Sequence, residues 1–278
     1  MDRRTMFAIK NGTGAACVIV GMLFFPSHIL AGEVLRVGGT GSTNEMIKSL
    51  GVLFAAETGI KVDIIPGLGT GGGNSALADG VIDVCISGRA LNTAEIAKGL
   101  VAVAEFHTPF VLVTSESKPD GFKSADIAQI YQSDKPAWAN GEPIRIILRP
   151  TNESDTSVLG QLFPGMAGAI AKVRNRADLS VAVTDQDNAE MAEKTSGSLV
   201  GATFTQIKTE SRNLRFVAID GVEPSLEAYE KGTYPFGKSL YFVLAAKKSP
   251  AGERFLAFLH SPKGTAAMRE AGVFLRVK

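Results

Sequence analysis

Three times between residues 34 and 100, a β-branched run leaves through glycine or hydroxyl residues and enters a helical pattern. Residues 34–39 pass through Thr40, Gly41, Ser42 and Thr43 into a helix whose Met46, Ile47, Leu50, Leu53 and Phe54 form one apolar stripe. Ser42, followed three residues later by Glu45, reads as a capping box. Residues 61–65 lead into a run holding five glycines between Gly67 and Gly73, with a short helix expected from Asn74 to Asp79. Residues 81–86 leave through Ser87, Gly88 and Arg89 towards a helix capped by Asn92 or Thr93 and containing Ile96 and Leu100. Repetition of strand, turn and helix predicts a parallel α/β sheet, whose ligand site lies at the carboxyl ends of its strands.

The glycine run brings bare N–H groups close to whatever a helix N-terminus holds, and an anion is the natural occupant. Gly67, Gly69 and Gly72 also spell G-x-G-x-x-G. A dinucleotide fold would need an acidic residue ending the following strand, but Asp83 starts that strand and Ser87-Gly88 end it. No Lys-Ser/Thr pair follows the glycines, which excludes a P-loop. Of the three histidines, His28, His107 and His260, none belongs to a nucleophile elbow, a zinc motif or a Cys/His cluster. A secreted hydrolase is therefore the weaker reading; neither catalytic residues nor a metal or cofactor is expected.

Arg3, Arg4 and Lys10 precede an apolar run from Ala15 to Phe25, so residues 1–32 read as a secretory signal peptide cut near Ala31 or Gly32. Its removal takes away a net +2, and the formal +1 of the whole chain becomes −1. A chain of that charge carries no basic footprint for nucleic acid. Any anion must be bound by local groups. The leader also contains Cys17, which leaves Cys85 alone in an apolar strand and excludes an internal disulfide.

Further along, residues 106–113 form a strand with Pro109 inside it, as expected of an edge or crossing segment. A helix near residues 124–131, a strand at 144–148, the polar loop from Arg149 to Thr156, a helix from Ser157, another at 187–194 and a strand after Gly197 build a second α/β region. Ser249-Pro250 and Ser261-Pro262 start the last two helices, with a serine cap and a proline in the first turn. Four loops at strand ends thus carry hydroxyls, glycine backbone and two arginines, the groups that hold a tetrahedral oxyanion. They are Thr40 to Thr43; Thr70, Gly71 and Gly72; Ser87 to Arg89; and Arg149 with Ser154, Asp155 and Thr156. Arg89 either reaches the anion or pairs with a surface carboxylate, and Asp155 either faces the ligand or caps the next helix.

In this order and spacing, Gly39-Thr40-Gly41-Ser42-Thr43, Gly69 to Gly73, Asp83 to Arg89, Arg149 with Ser154-Asp155-Thr156, Gly197-Ser198-Leu199, Tyr234-Pro235-Phe236 and residues 255–272 resemble the phosphate-type substrate-binding proteins of ABC importers, which are type II periplasmic binding proteins. The resemblance covers essentially the whole chain after the leader. It implies two α/β lobes joined by two crossover segments, here residues 33–113 plus 235–278 and residues 114–234. It also implies a periplasmic or otherwise exported monomer that closes on a small oxyanion, phosphate first, and delivers it to an inner-membrane ABC permease. Two departures stand out. The family's aspartate near Gly88, which accepts the proton of phosphate, has no counterpart there, and Asp155 replaces a glycine in the second-lobe loop. Asp155 either supplies the acceptor from the opposite lobe or repels phosphate, so sulfate, tungstate or a phosphonate remains an alternative ligand. An exported sensor or surface binder without a permease is the alternative role.

Overall fold

The computed structural model describes residues 33–247 and 249–275; the expected leader, residues 1–32, lies outside them. The first region reads β1 (Val34–Gly39), a single 3-10 turn Gly41–Thr43, α1 (Asn44–Thr58), β2 (Lys61–Ile64), α2 (Gly69–Ala78), β3 (Val84–Ser87) and α3 (Thr93–Ala97). The long β4 (Leu100–Thr114) follows. The middle of the chain supplies α4 (Ile127–Gln132), β5 (Arg145–Leu148), α5 (Ser154–Leu162), α6 (Met166–Val173), β6 (Ser180–Val181), α7 (Asp185–Lys194), β7 (Ser198–Thr203), α8 (Phe204–Thr209), β8 (Arg215–Phe216) and α9 (Leu226–Glu230). The last part is β9 (Gly237–Ala245), α10 (Pro250–His260), α11 (Pro262–Glu270) and β10 (Phe274–Leu275).

The strands lie in the order β2-β1-β3-β9-β4-β7-β5-β6, with β10 and β8 also paired to β4. Both flanks are parallel as the sequence predicts: β1 with β2 and β3, and β5 with β7 and β6. The centre departs from that expectation, because β9 runs antiparallel to β3 and β4, and β4 antiparallel to β7. Pro109 marks the place where β4 changes partner. It stands opposite Gly237 of β9, and the next residue, Phe110, already stands opposite Thr203 of β7. A residue without an N–H is tolerated where a ladder is handed over, so the proline is in a crossing segment and not on an edge.

Two large apolar clusters flank this crossing. One gathers Leu35, Leu50, Phe54, Phe242 and Phe255 around α1, α10 and α11; the other gathers Tyr131, Trp138, Leu159, Met166 and Tyr234 around α4, α5 and α6. Each such side chain, fully buried, contributes roughly 1.5–3 kcal/mol. The serine caps of α10 and α11 form as expected, Ser249 accepting from the Gly252 N–H and Ser261 from the Gly264 N–H. Asn92 caps α3 in a box with Glu95. Leu100 begins β4 and lies outside that helix.

The glycine run is also placed differently from the expectation. It is helical from Gly69, five residues before Asn74. Gly73 explains its composition: a Cβ there would stand 2.7 Å from the Gly39 Cα and 2.8 Å from the Cys85 Sγ, so only glycine lets α2 lie directly on β1 and β3. Gly71 has nothing within 4 Å of the same construction. Gly73→Ala is therefore expected to destabilise the protein by about 1–3 kcal/mol through overpacking. Gly71→Ala should stabilise it by about 0.4–1 kcal/mol through a less free unfolded chain. Urea unfolding checks both, and equal effects at the two positions would contradict the packing account.

Candidate functional site

The carboxyl ends of β1, β3, β5 and β6 converge, together with the amino end of β9. The turn after β1 presents the Ser42 N–H, which donates to Asp185 Oδ2 at 3.0 Å, while the Thr40 hydroxyl lies 3.5 Å from the same oxygen. Asp185 opens α7 just beyond β6. Its other oxygen, Oδ1, is 3.6 Å from Arg149 Nη2, and Arg149 also lies 3.4 Å from Glu153. Arg149 Nη1 donates to the Ala182 carbonyl at 2.9 Å, which fixes the guanidinium between β5 and β6.

Beside this group, the Lys238 ammonium of β9 is wholly buried and paired with Asp155 Oδ1 at the start of α5. It also donates to the Ser154 hydroxyl at 3.0 Å. Thr70 of α2 completes the arc, its hydroxyl accepting from the Gly88 N–H at 2.9 Å. Two cations and three carboxylates, those of Asp155, Asp185 and Glu153, thus share one largely buried region. Burial, and then the Asp155 charge, push the Asp185 carboxyl up to about 6; Arg149 and Lys238 pull it down, and Glu153 adds to the rise. Arg149 Nε and Asp155 Oδ2 are buried and have no hydrogen-bond partner among the described residues. A cavity of about 110 Å³ lies alongside, lined by Gly41, Gly69, Arg149, Glu153 and Asp185 among others. That is ample for a small ion, since one water needs only ~15 Å³ on the same measure. Chemically, the arrangement offers N–H, hydroxyl, guanidinium and ammonium donors to a compact anion, and carboxylate acceptors to any proton that anion carries.

A family profile described as a PBP superfamily domain matches residues 26–263. The chain belongs to the PBP superfamily. No curated protein matches it in sequence. Among solved structures it resembles one from Clostridium perfringens described as a phosphate ABC transporter substrate-binding protein with bound phosphate. The TM-score is 0.72 at 16% identity over 88% of this chain and 100% of that one. An ABC-type phosphate transport receptor from Vibrio cholerae gives 0.60 at 15% identity, covering 87% and 100%. The periplasmic molybdate-binding protein of Azotobacter vinelandii gives 0.59 at 12%, covering 87% and 100%. The fold is thus that of the type II periplasmic binding proteins, as the sequence resemblance implied.

Within this PBP-superfamily fold, the residues named from sequence divide into two groups. Thr40, Gly41, Ser42, Thr70, Arg149, Ser154 and Asp155 come together as described. The others are held elsewhere. The Thr43 hydroxyl donates to the Thr40 carbonyl, Ser87 to the Arg89 carbonyl and Thr156 to the carbonyls of Arg149 and Pro150. Gly71 and Gly72 lie on the exposed face of α2. Ser42 makes no capping box; Thr43 stands at the cap position without a side-chain bond, and the Ser42 N–H is left free for Asp185. Asp155 is not a cap either: Glu153 occupies that position, and Asp155 turns to Lys238.

Sequence reasoning missed Lys238 and Asp185. Lys238 falls on the buried phase of β9, in step with Leu240 and Phe242, and a lysine at an inward position of a period-2 pattern is a detectable signal. Asp185 had a weaker one, because β6 has only two residues.

Arg89 forms a two-pronged pair with Glu95 at 2.8 Å on both branches, and Glu95 also accepts from Asn74. The Arg89 hydrogen bonds hold the Glu95 carboxyl down at about 2 against the opposing effect of burial. A depressed carboxyl stabilises the fold above its unfolded value, here 4.5, and loses that contribution as pH falls towards 2. Glu95→Gln is thus expected to be less stable than wild type at neutral pH, with the gap closing between about pH 4.5 and 2 in urea unfolding. A gap independent of pH would contradict the pairing.

Proposed function

We propose that this protein is an exported solute-binding protein that captures a phosphate-like oxyanion between two lobes and delivers it to the permease of an ABC importer. The lobes are residues 33–113 plus 235–278 and residues 114–234. The observation that carries this reading is an anionic oxygen already seated on the donors: Asp185 Oδ2 on the Ser42 N–H and the Thr40 hydroxyl, with Arg149 behind it. Groups that hold a carboxylate oxygen in this way hold a phosphoryl oxygen by the same chemistry. Membership of the PBP superfamily supports a binding role, and neighbours described as phosphate and molybdate proteins support an oxyanion as ligand. Among the described residues no helix is long and apolar enough to cross a membrane.

Gly88 bears on which oxyanion. A Cβ there would stand 2.5 Å from the Ser154 Oγ and 3.0 Å from both Lys238 Nζ and Thr70 Oγ1. A side chain at that position would have to displace the Ser154 hydroxyl and crowd the Lys238 ammonium, which occupy its place here. The acceptor for a ligand proton is instead Asp155, whose Oδ2 is buried with no hydrogen-bond partner among the described residues. This favours phosphate or a monoprotonated phosphonate over sulfate, which brings no proton to that oxygen.

Thermal unfolding of the protein with phosphate, sulfate, tungstate and phosphonates tests the reading. At a hundredfold excess over Kd, a ligand specific for the folded state adds about 2.7 kcal/mol. For a chain of this size that corresponds to roughly 5–10 °C in Tm. Phosphate is expected to give such a shift, sulfate a much smaller one, and Arg149→Ala no shift with either. Absence of a shift with every oxyanion would contradict the proposal.

A further inference from the structure

The carboxylate of Asp185 is not simply another member of the site. It takes the two lobe-one donors, the Ser42 N–H and the Thr40 hydroxyl, and it approaches Arg149 from the other side. Its backbone is anchored independently of those contacts, since the Gln206 side chain donates to the Asp185 carbonyl at 2.9 Å and Asp185 is the first residue of α7. The side chain can therefore leave its donors without unravelling the helix. The neighbouring cavity borders both Asp185 and Arg149.

The charge inventory points the same way. The charged groups facing Asp185 are Arg149 after β5, Glu153 and Asp155 at the start of α5, and Lys238 of β9. The turn after β1 and α8 face it with the uncharged Thr40, Ser42 and Gln206. With Asp185 ionised, these side chains sum to −1, a poor reception for a divalent oxyanion; with Asp185 neutral or moved away, the sum is zero.

Building on the oxyanion reading above, we propose that Asp185 is an internal competitor for the ligand: its carboxylate occupies the oxyanion's donors, and capture of the anion displaces it, so that Asp185 sets both affinity and its dependence on pH. The carboxyl, pushed up to about 6 by burial and Asp155, is largely ionised at pH 8 and largely neutral at pH 5. Competition is thus strongest in alkaline solution.

The test is calorimetric titration of inorganic phosphate into the wild-type protein and Asp185→Asn between pH 8 and 5. The ratio of the two affinities at each pH cancels the titration of phosphate itself. The variant is expected to bind at least tenfold more tightly at pH 8, with the ratio falling towards one by pH 5. Asp185→Ser, which also removes the charge, should behave as Asp185→Asn does and stands in for it if the amide prevents folding. Equal affinity at all pH values would overturn the proposal, as would weaker binding by both variants, which would make Asp185 an acceptor for the ligand. In either case phosphate still binds wild type, and the oxyanion reading survives. Failure of phosphate to bind any of the three proteins would overturn that reading and this inference with it.

Discussion

Burial of ionised groups is the constraint to which the rest of this structure answers. Lys238 is withdrawn from water on β9, and among the described residues the carboxylate paired with it is Asp155, on the first turn of α5. Removing one partner from such a buried pair typically costs 3–5 kcal/mol, because the other is left without compensation. The pair consequently ties the amino end of β9 to the start of α5, two elements that belong to different apolar clusters. The second pair, Arg149 with Asp185, ties the loop after β5 to α7 and reaches the turn after β1 through the Ser42 N–H. Neither pair serves stability cheaply. Replacing a buried ion pair by apolar side chains of similar volume is often neutral or stabilising, so stability alone does not account for the charge retained here.

The fold places these groups by simple means. Parallel flanks deliver the ends of β1, β3, β5 and β6 to one edge, and the antiparallel centre made by β4 and β9 joins the two flanks into one sheet. Gly73 lets α2 lie against β1, so Thr70 meets the Gly88 N–H. Gly88 itself leaves room for Lys238 and Ser154 to enter from the opposite side. A lysine and carboxylate pair contributed by two other elements, Lys238 of β9 and Asp155 of α5, lies beside that room.

What could be read from the sequence follows from which signals are local. The apolar stripe of α1, the serine and proline starts of α10 and α11, and a cap at Asn92 or Thr93 are fixed by a few neighbouring residues; all are present, with Asn92 as the cap. Pro109 reads from sequence as an edge or crossing residue because it cannot donate to a ladder, and the pairings of β4 select the crossing. The glycine run reads as a loop when no partner surface is known; it is helical from Gly69, and glycine at 73 is what lets that helix approach Gly39 and Cys85. Ser42 misled for a related reason: its spacing to Glu45 satisfies a local rule, but Asp185, 143 residues away, takes its N–H. Arg149, Ser154 and Thr40 stand near strand ends in the sequence pattern, and the fold brings them into one region. Lys238 and Asp185 acquire meaning only once β9 and α7 are packed against those ends.

The central claim is that the donors now holding the Asp185 carboxylate are those of an oxyanion site. A crystal structure of the protein grown in phosphate tests it most directly. The account predicts a phosphate accepting from the Ser42 N–H, the Thr40 hydroxyl and Arg149, with the Asp185 carboxylate moved off them. A phosphate bound elsewhere on the protein, with Asp185 still on the Ser42 N–H, would contradict it.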